Sequence, residues 1–527
     1  MEKYLEYCKN IFVALLKKRY NHDFVKGSFF TILLLFSYKY YLKQKKRFNL
    51  LSFLQKLPYI NKNVNNQIDS AKRDIQDQIN NGQNEYINSL PENGLDELEI
   101  ISKINNISST HVQKGHISGV VYHGGEEYTN FLLRVFKKFA WANPLHFDLF
   151  PEIRKMEIEI VKMAINMFQG NEKCCGNVTY GGTESILLAC KTYREWGFDE
   201  KGIDNPNIVL LESGHSAFKK AGHYFNIEIK TVPINYKTGT TTIENIIKYV
   251  DKNTVCIVGS APAYAHGIID PIFEIANYGK KNNIGVHVDC CMGGFLLPFL
   301  RTKINDIFDF SIPGVTSISA DTHKYGYALK GSSIIMYRDQ NLKKYQHFSH
   351  SDWNGGIYAT PTIMGSKSGA LIASAWAAMM YHGFDKYQEI ATKIMEATER
   401  IKEAVKDLQE IEIIGNPKIN IIAFNSETLN IYKLSSCLTE MGWHLNILQN
   451  PASFHFCITY IHISDNTIID KFINDLKESI INVQDGQYDN IEGTAALYGM
   501  ASSINQQSVT GEIVNSYIHL LSTDNII

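Results

Sequence analysis

The sequence predicts an α/β protein built on a mostly parallel sheet that is covered by helices. Three short, apolar, β-rich segments carry this prediction, at residues 208–212, 254–262 and 284–291. Longer helical patterns separate them, as at residues 271–281. Alternation of this kind favours parallel strands joined by crossover helices. With 527 residues, of which 44% are hydrophobic, the chain is long enough for a large core and smaller additional domains.

Composition excludes two classes of function. The net charge of -2 gives no basic excess, so we expect no nucleic-acid partner. The nine cysteines include no CxxC pair and no zinc-ligand spacing, and we therefore expect no metal site. Unpaired, scattered cysteines are typical of a reducing compartment, which indicates the cytosol for the bulk of the chain.

The N-terminal segment, residues 1–60, contains a candidate transmembrane helix. Residues 24–42 read FVKGSFFTILLLFSYKYYL. As a helix they would span roughly 28 Å, close to the hydrocarbon thickness of about 30 Å. The alternative is an amphipathic or buried helix. A cleaved signal peptide is disfavoured because the apolar run begins late and no small-residue cleavage site follows. Basic residues flank both ends, with a slight preference for a cytosolic C-terminal side.

Three further regions follow this segment. Residues 61–150 form a spacer and an N-terminal contact segment, Asn/Gln-rich at its start. Residues 151–385 form the large α/β domain. It opens with a predicted helix in which Pro151 suits the first turn, while Met156, Ile160, Ala164 and Met167 share one face. Residues 386–527 form a smaller α+β domain.

A glycine-rich turn marks a phosphate site in the large domain. Gly181, Gly182 and Thr183 precede an apolar helical run, which places backbone N–H groups and a hydroxyl at a helix start. In α/β sheets, ligands bind at the carboxyl ends of strands against such helix starts. Most Gly-Gly pairs are only tight turns, so this turn needs support from other residues.

Two further motifs give that support. Asp289 ends an apolar strand, where an acidic side chain is either a cap, a salt-bridge partner or a functional group. His323 and Lys324 follow some way along the chain, and His215 precedes them in SGHSAFKKA. A phosphate turn, a carboxylate and a lysine together meet the needs of pyridoxal phosphate, which bonds covalently to lysine and requires a carboxylate beside its pyridine nitrogen.

With these residues in place, the chain resembles the sphingosine-1-phosphate lyases. GGTES, HSAFKKA, GSAPAYAHGIIDP, HVDCCMGGF, SADTHKYGYALKGSS and DWNGGIYATPT stand in the order seen in that family. SGVVYHGGEEYT and WANPLHFDLFPEIRKME extend the likeness upstream. NPKINIIAF, LNILQNPASFHFCI and GTAALYGMA extend it downstream, so that it covers roughly residues 86–524. The family consists of fold-type I pyridoxal-phosphate enzymes related to the amino-acid decarboxylases. The resemblance thus implies that fold for the large domain and pyridoxal 5'-phosphate as cofactor.

The resemblance also implies roles for single residues. Lys324 is the lysine that binds the cofactor covalently. Lys330 binds the substrate phosphate from a loop, together with Tyr122 and His146, which family members donate across a dimer interface. Asp289 partners the pyridine nitrogen and His215 stacks on the ring. The remaining implied contacts are Gly182, Thr183 and His323 at the cofactor phosphate, with Asn143, His266 and Gly356 as candidates for outer or cross-subunit contacts.

Four positions depart from the family pattern. Leu329 stands where the family usually has proline between the two lysines, and Phe147 replaces proline after His146. Lys367 and Ser368 replace an Arg-Pro pair. Because Lys and Arg differ in donor geometry, a bidentate contact at position 367 would weaken.

The implied reaction is retro-aldol cleavage of a phosphorylated sphingoid base to a long-chain aldehyde and phosphoethanolamine. Lys324, a tyrosine or the substrate phosphate are all open as the base at the C3 hydroxyl. The resemblance further implies a homodimer with shared active sites and a single-pass endoplasmic reticulum protein facing the cytosol. An amino-acid decarboxylase is the alternative, but it has no use for a trio of phosphate ligands. A non-catalytic membrane scaffold is disfavoured by the pair Lys324 and Asp289.

Overall fold

Seven strands form the central sheet in the computed structural model, which describes residues 87, 89–105, 115–488, 515 and 518. The strands are β1 (Cys175–Thr179), β2 (Asn207–Leu211), β3 (Glu228–Val232), β4 (Thr254–Ser260), β5 (Gly285–Asp289), β6 (Ser317–Ala320) and β7 (Ser333–Tyr337). Their order across the sheet is β1-β7-β6-β5-β4-β2-β3. β3, β2, β4, β5 and β6 pair in parallel, and β7 runs antiparallel to both of its neighbours. The predicted mostly parallel sheet is confirmed.

Helices connect these strands and also lie before and after them in the chain. In chain order they are α1 (Glu97–Asn105), α2 (Glu126–Lys138), α3 (Pro151–Met167), α4 (Gly182–Lys201), α5 (Ala217–Phe225), α6 (Ile243–Ile247), α7 (Ile272–Lys281), α8 (Gln340–Lys343), α9 (Gly369–Val405), α10 (Ile431–Glu440), α11 (Tyr460–Ser464) and α12 (Asn466–Gln484). The helix predicted from Pro151 is present, with proline in its first turn. The helix predicted after the Gly-Gly turn is α4.

The central strands are apolar because both faces of the sheet are covered. Every residue of β2, β4 and β5 is buried. Continuous apolar runs are typical of parallel strands packed between helices, whereas alternating runs are typical of one-sided sheets. The three strands predicted from such runs are therefore confirmed, within two residues at each end.

A second, antiparallel sheet lies in the C-terminal part of the chain. Its strands, in the order β10-β11-β13-β12, are β10 (Glu412–Ile413), β11 (Ile421–Asn425), β13 (Ser453–Cys457) and β12 (Asn446–Leu448). A further two-stranded sheet joins β8 (Phe348–His350) to β9 (Tyr358–Thr360). Trp443, Phe456 and Phe472 pack ring against ring in the core beside the C-terminal sheet, and all three are fully buried.

Helix α9 leads from the large sheet towards the second one. Its backbone breaks at Gly383, where φ is 58° and ψ is -174°. Glycine tolerates this conformation because it lacks a Cβ. The break lies close to the boundary predicted at residues 385/386. The described residues between 91 and 488 nevertheless belong to one compact unit, and the domain limits stay predictions.

The predicted anchor, residues 24–42, lies outside the described residues, as does most of the spacer. Within the described part of the chain, no helix combines the length and apolar character that crossing a bilayer requires.

Candidate active site

The sequence-predicted cofactor residues meet at one edge of the central sheet. Asp289 is the last residue of β5, and the segment with His323 and Lys324 follows β6. The turn with Gly181 and Gly182 follows β1 and begins α4. Because these strands run in the same direction, their carboxyl ends lie together.

Hydrogen bonds from β6 and from the residues after β5 fix the side chain of Asp289. Its side chain is buried, and its Oδ1 accepts hydrogen bonds from the Cys291 backbone N–H at 3.0 Å and from Ser319 Oγ at 3.3 Å. Backbone register places Asp289 between Ser260 of β4 and Ser319 of β6. The carboxylate is thus fixed by the pairing of three strands.

Lys324 pairs with a second carboxylate. Its Nζ lies 2.9 Å from Asp321 Oδ2, and the side chains of Lys324 and Asp321 are 19% and 2% exposed. Burial lowers the pKa of Lys324, but the charge of Asp321, the nearby Cys291 and Tyr122, and the hydrogen bond to Asp321 together raise that pKa above its usual value. Lys324 is therefore an ammonium ion at neutral pH when it is free.

Cys291 connects the two carboxylates to the lysine. Its backbone N–H donates a hydrogen bond to Asp289. The charges of Asp289, Asp321 and Lys324 all act electrostatically on its thiol. Burial, followed by the two carboxylates, raises the pKa of this thiol well above its usual range. Lys324 and Asp289 therefore both lie beside Cys291, and their roles stay predictions.

His323 and the glycine turn form the wall of that site. The His323 backbone N–H donates to the Ser332 carbonyl, and its Nδ1 accepts from the Ser332 backbone N–H, both at 3.1 Å. Burial lowers the pKa of His323, an effect that Asp321 opposes. A neutral imidazole with Nδ1 as acceptor carries its proton on Nε2. That proton is available to an anion.

The glycines are required where they stand. Gly181 has φ of 124°, and a Cβ there would lie 3.2 Å from His323 Cε1. A Cβ on Gly182 would lie 2.8 Å from Asp321 Oδ1 and from Cys291 Sγ. Thr183 is exposed on the first turn of α4, which leaves its hydroxyl open to a ligand. The turn forms a cradle at a helix N-terminus.

Lys330 lies over Tyr122 within the same chain. The Lys330 Nζ is 4.5 Å from the centre of the Tyr122 ring, and Tyr122 packs edge-on against Tyr325 at 5.0 Å. Burial and repulsion from Lys324 lower the pKa of Lys330 to about 8, while burial raises that of Tyr122. The predicted pair of phosphate ligands is brought together without a second subunit.

Three tyrosine hydroxyls hold the segment between the two lysines. Tyr128 donates to the Tyr327 carbonyl at 2.9 Å, and Tyr387 donates to the Gly326 carbonyl at 2.8 Å. Tyr325 donates to the Ile458 carbonyl at 2.6 Å. Tyr327 has φ of 58°, which costs a non-glycine residue about 1–3 kcal/mol. These bonds tie a strained loop to the surrounding helices and the C-terminal sheet.

His215 and His266 lie beside this edge. His215 is half-buried, and its Nδ1 accepts from the Ala217 backbone N–H at 3.1 Å. Its ring lies 6.3 Å from that of Tyr264. His266 is buried, which lowers its pKa to about 4, and its Nδ1 has no hydrogen-bond partner among the described residues.

Three predicted residues are not joined to this cluster. His146 is exposed, and its side chain has no hydrogen bond or ion pair within the described part of the chain. Asn143 instead orders a neighbouring loop, with its Nδ2 donating to Ser366 Oγ at 3.1 Å. Gly356 lies in an exposed loop with φ of 102°.

At three of the four positions that depart from the family pattern, the side chain contacts other residues of the fold. Leu329 packs against the core, where the family usually has proline. The Lys367 ammonium binds Glu157 at 3.2 Å and its side chain is only 8% exposed, so it is occupied within the fold. The Ser368 side chain caps α9, and Phe147 is exposed.

Two buried carboxylates were missed by the sequence interpretation. Asp321 stands two residues before His323, and Asp270 lies behind β4, where its Oδ2 accepts from the Ser260 backbone N–H at 2.8 Å. Burial raises the pKa of Asp270 to about 7. Asp321 directly follows the buried strand β6, and Asp270 binds the last residue of the buried strand β4. In each case, the association of an acidic residue with the end of a buried strand was the feature that could have identified it.

These residues fit pyridoxal phosphate. The glycine cradle would be filled by any Cβ, and His323 offers a proton beside it. The buried carboxylate of Asp289 and the side chain of Lys324 both lie beside Cys291. The donor set matches a phosphate, a protonated pyridine nitrogen and an aldehyde.

Comparisons with known proteins agree with this chemistry. The family model described as "Pyridoxal-dependent decarboxylase conserved domain" matches residues 81–427. The chain is 41% identical to sphingosine-1-phosphate lyase 1 of Rattus norvegicus, over 90% of this chain and 84% of the relative. It is 34% identical to sphingosine-1-phosphate lyase of Saccharomyces cerevisiae, over 90% and 82%.

Solved structures show the same fold. A sphingosine-1-phosphate lyase of Burkholderia pseudomallei superposes with a TM-score of 0.74 at 34% identity, covering 80% of this chain and 97% of that one. A glutamate decarboxylase of Lactobacillus brevis gives a TM-score of 0.67 at 21% identity, covering 76% and 96%. At that lower identity the likeness concerns the fold alone.

Proposed function

Because this chain belongs to the sphingosine-1-phosphate lyases, within the pyridoxal-dependent decarboxylase family, we propose that the edge of the sheet bearing Asp289 and Lys324 is its active site. The protein is a pyridoxal-phosphate-dependent lyase of sphingolipid catabolism. It cleaves the C2–C3 bond of phosphorylated sphingoid bases by a retro-aldol reaction, giving a long-chain aldehyde and phosphoethanolamine. The observation that carries the site assignment is the convergence of Lys324, Asp289 and the glycine cradle at one strand edge.

The cofactor-binding roles follow from what each residue offers. Lys324 supplies the amine that binds the cofactor covalently. Asp289 supplies a fixed negative charge for a protonated pyridine nitrogen. Gly182, Thr183 and His323 supply donors for the phosphate, and His215 supplies a ring face. When bound, pyridoxal phosphate withdraws electrons from the substrate carbon at which the bond breaks.

The substrate phosphate is assigned to Lys330 and Tyr122. A phosphate monoester carries up to two negative charges and needs charge-assisted donors, which the net charge of -2 does not supply. Lys330 provides an ammonium that no salt bridge within the described residues engages, placed over the Tyr122 ring. His146 is exposed, and we assign it to the same phosphate from a second subunit. An amino-acid decarboxylase would not need these three phosphate ligands.

Membrane attachment and dimerisation complete the proposal. The substrate tail partitions into lipid, so an anchor at residues 24–42 would keep the enzyme beside its substrate. We assign the protein to the endoplasmic reticulum membrane as a homodimer, with the catalytic part in the cytosol. Protease treatment of intact microsomes should degrade the catalytic part without detergent; protection of that part would contradict this orientation.

One assay tests the function directly. The purified protein, loaded with pyridoxal phosphate, is incubated separately with sphingosine phosphate and with glutamate or aromatic amino acids. We expect long-chain aldehyde and phosphoethanolamine in equal amounts from the first substrate. Release of carbon dioxide from an amino acid, without aldehyde from the lipid, would instead indicate the decarboxylase alternative. Unphosphorylated sphingosine is the matched control for the role of the phosphate.

A further inference from the structure

We propose that Asp321 is the proton-holding partner of Lys324: it keeps the free lysine as an ammonium ion and takes up the proton when the lysine becomes neutral. This role depends on the assignment of Lys324 as the cofactor lysine. Asp321 touches neither substrate nor cofactor in this scheme. It acts through Lys324, as a positioning residue.

Lys324 is the cation nearest to Asp321; the Nε2 of His323, whose pKa burial lowers, lies farther away, 3.7 Å from Asp321 Oδ2. Asp321 directly follows β6, three residues before the lysine, and is almost fully buried. Its Oδ2 lies 2.9 Å from Lys324 Nζ, while its Oδ1 has no hydrogen-bond partner among the described residues. A buried carboxylate stays ionised only beside a cation or several donors. Lys324 is therefore what keeps Asp321 charged.

Three titratable groups beside the pair are neutral near pH 7. Cys291 faces it from the end of β5, Tyr122 from the segment before α2, and His323 from the same loop as the pair. Burial raises the pKa of the thiol and of the phenol, and lowers that of the imidazole. Lys330 is the remaining cation acting on the wall of the site, and it repels Lys324.

The proton exchange conserves charge within the site. One N–H bond of the Lys324 ammonium breaks and one O–H bond forms on Asp321 Oδ2, leaving a neutral amine beside a neutral acid. The amine then has the free electron pair that a nucleophile needs. When the lysine is released again, the proton returns and the ion pair re-forms. No proton has to cross the buried wall of the site in either direction.

Asp289 is unsuited to this exchange. Its Oδ1 already accepts two hydrogen bonds, from Cys291 and from Ser319. Among the described residues, Lys324 forms its salt bridge with Asp321 and not with Asp289. The two buried acids therefore have separate tasks, one as a fixed charge and the other as a proton carrier.

The test uses the cofactor-free protein and does not depend on lyase activity. The rate at which a small amine-acylating reagent modifies Lys324 is followed against pH by peptide mass spectrometry. In Asp321→Asn we expect the midpoint of this reaction to fall by about one to three pH units, since the opposite charge is lost. Asp321→Glu should restore most of the wild-type midpoint. An unchanged midpoint in a folded Asp321→Asn protein would overturn the proposal.

Matched controls separate this effect from the general effect of removing a buried acid. Asp309 is fully buried, pairs with Arg301, and is not among the groups that act on Lys324, so Asp309→Asn should leave the Lys324 midpoint unchanged. Lys393, exposed on α9, serves as the internal reference in every digest. Since substrate and cofactor are absent, a failed product assay would count against the lyase function without affecting this result.

A second variant keeps the idea testable if Asp321→Asn does not fold. In Lys324→Met the carboxylate loses its cation, and we expect it to become protonated. Infrared difference spectra against wild type should then show the carbonyl band of a buried carboxylic acid. The band should vanish in the double variant Lys324→Met/Asp321→Asn, which leaves no unpaired charge. Absence of the band in Lys324→Met would also overturn the proposal.

Discussion

The two lysines of the proposed active site lie six residues apart in surroundings that differ sharply. Lys324 is mostly buried, paired with Asp321, and its pKa is raised by that carboxylate against the effect of burial. Lys330 is more exposed than Lys324, lies over an aromatic ring, and its pKa is lowered to about 8 by partial burial and by repulsion from Lys324. The first is placed by the end of a buried strand, and the second by side-chain packing in a loop. We expect changes at the strand edge to affect chemistry, and changes in the loop to affect substrate binding.

The largest effect is expected from Lys324→Ala. Loss of the covalent ligand should reduce kcat/KM by roughly 10⁴-fold or more, as for other residues that form covalent intermediates. The measurements are aldehyde release and the visible absorption of the bound cofactor, which should resemble that of free pyridoxal phosphate. Lys393→Ala is the matched control, because that exposed lysine pairs only with Glu389 among the described residues. Retention of the wild-type spectrum in Lys324→Ala would contradict the assignment.

Asp289→Asn should have the next largest effect. Removing the fixed charge makes protonation of the pyridine nitrogen less favourable, and we expect kcat to fall by about 10²–10⁴-fold with a smaller change in KM. Asp289→Glu should recover part of kcat. The pH dependence of the cofactor absorption should shift in Asp289→Asn, which a purely structural defect would not produce. A rise in KM without a fall in kcat would instead show that Asp289 acts in substrate binding and not in the chemical step.

The strand-edge residues were predictable from the sequence because backbone rules place them. Apolar runs ending in Asp289, and a Gly-Gly turn before a helix, specify both the element and the edge at which the side chain emerges. The role of Lys330 came only from resemblance, since a lysine in a loop has no periodic pattern. Asp321 was missed although it stands in the same motif as Lys324. Its importance arises from burial and a 2.9 Å contact, which depend on the folded loop.

Lys330→Met should weaken substrate binding more than turnover. Loss of one charge-assisted contact to the phosphate should raise KM by about ten- to a hundredfold, with little change in kcat. Because the pKa of Lys330 is lowered to about 8, its charge is present below that pH and lost above it. We therefore expect kcat/KM of the wild type to fall as pH rises through about 8, since this parameter reports the free enzyme.

Lys330→Arg is the control for this pH effect. Arginine stays charged in that range, so the fall in kcat/KM near pH 8 should move to higher pH even if absolute affinity is reduced. An alkaline fall that is identical in wild type and Lys330→Arg would assign it to another group. A loss of kcat without a rise in KM would show that the two lysines do not divide chemistry and binding as proposed.

The smallest expected signal comes from mixing inactive subunits. This experiment tests Tyr122 and His146, the residues assigned to the substrate phosphate together with Lys330. Tyr122 reaches Lys330 of its own chain, whereas His146 is exposed and has no partner in the described part of its chain. If His146 acts across a twofold dimer, random pairing of Lys324→Ala with His146→Ala should restore about a quarter of wild-type activity, because half of the dimers hold one intact site of two. If Tyr122 acts within its own chain, pairing Lys324→Ala with Tyr122→Phe should restore none. Restoration in both mixtures would place Tyr122 across the interface, and restoration in neither would confine His146 to its own subunit.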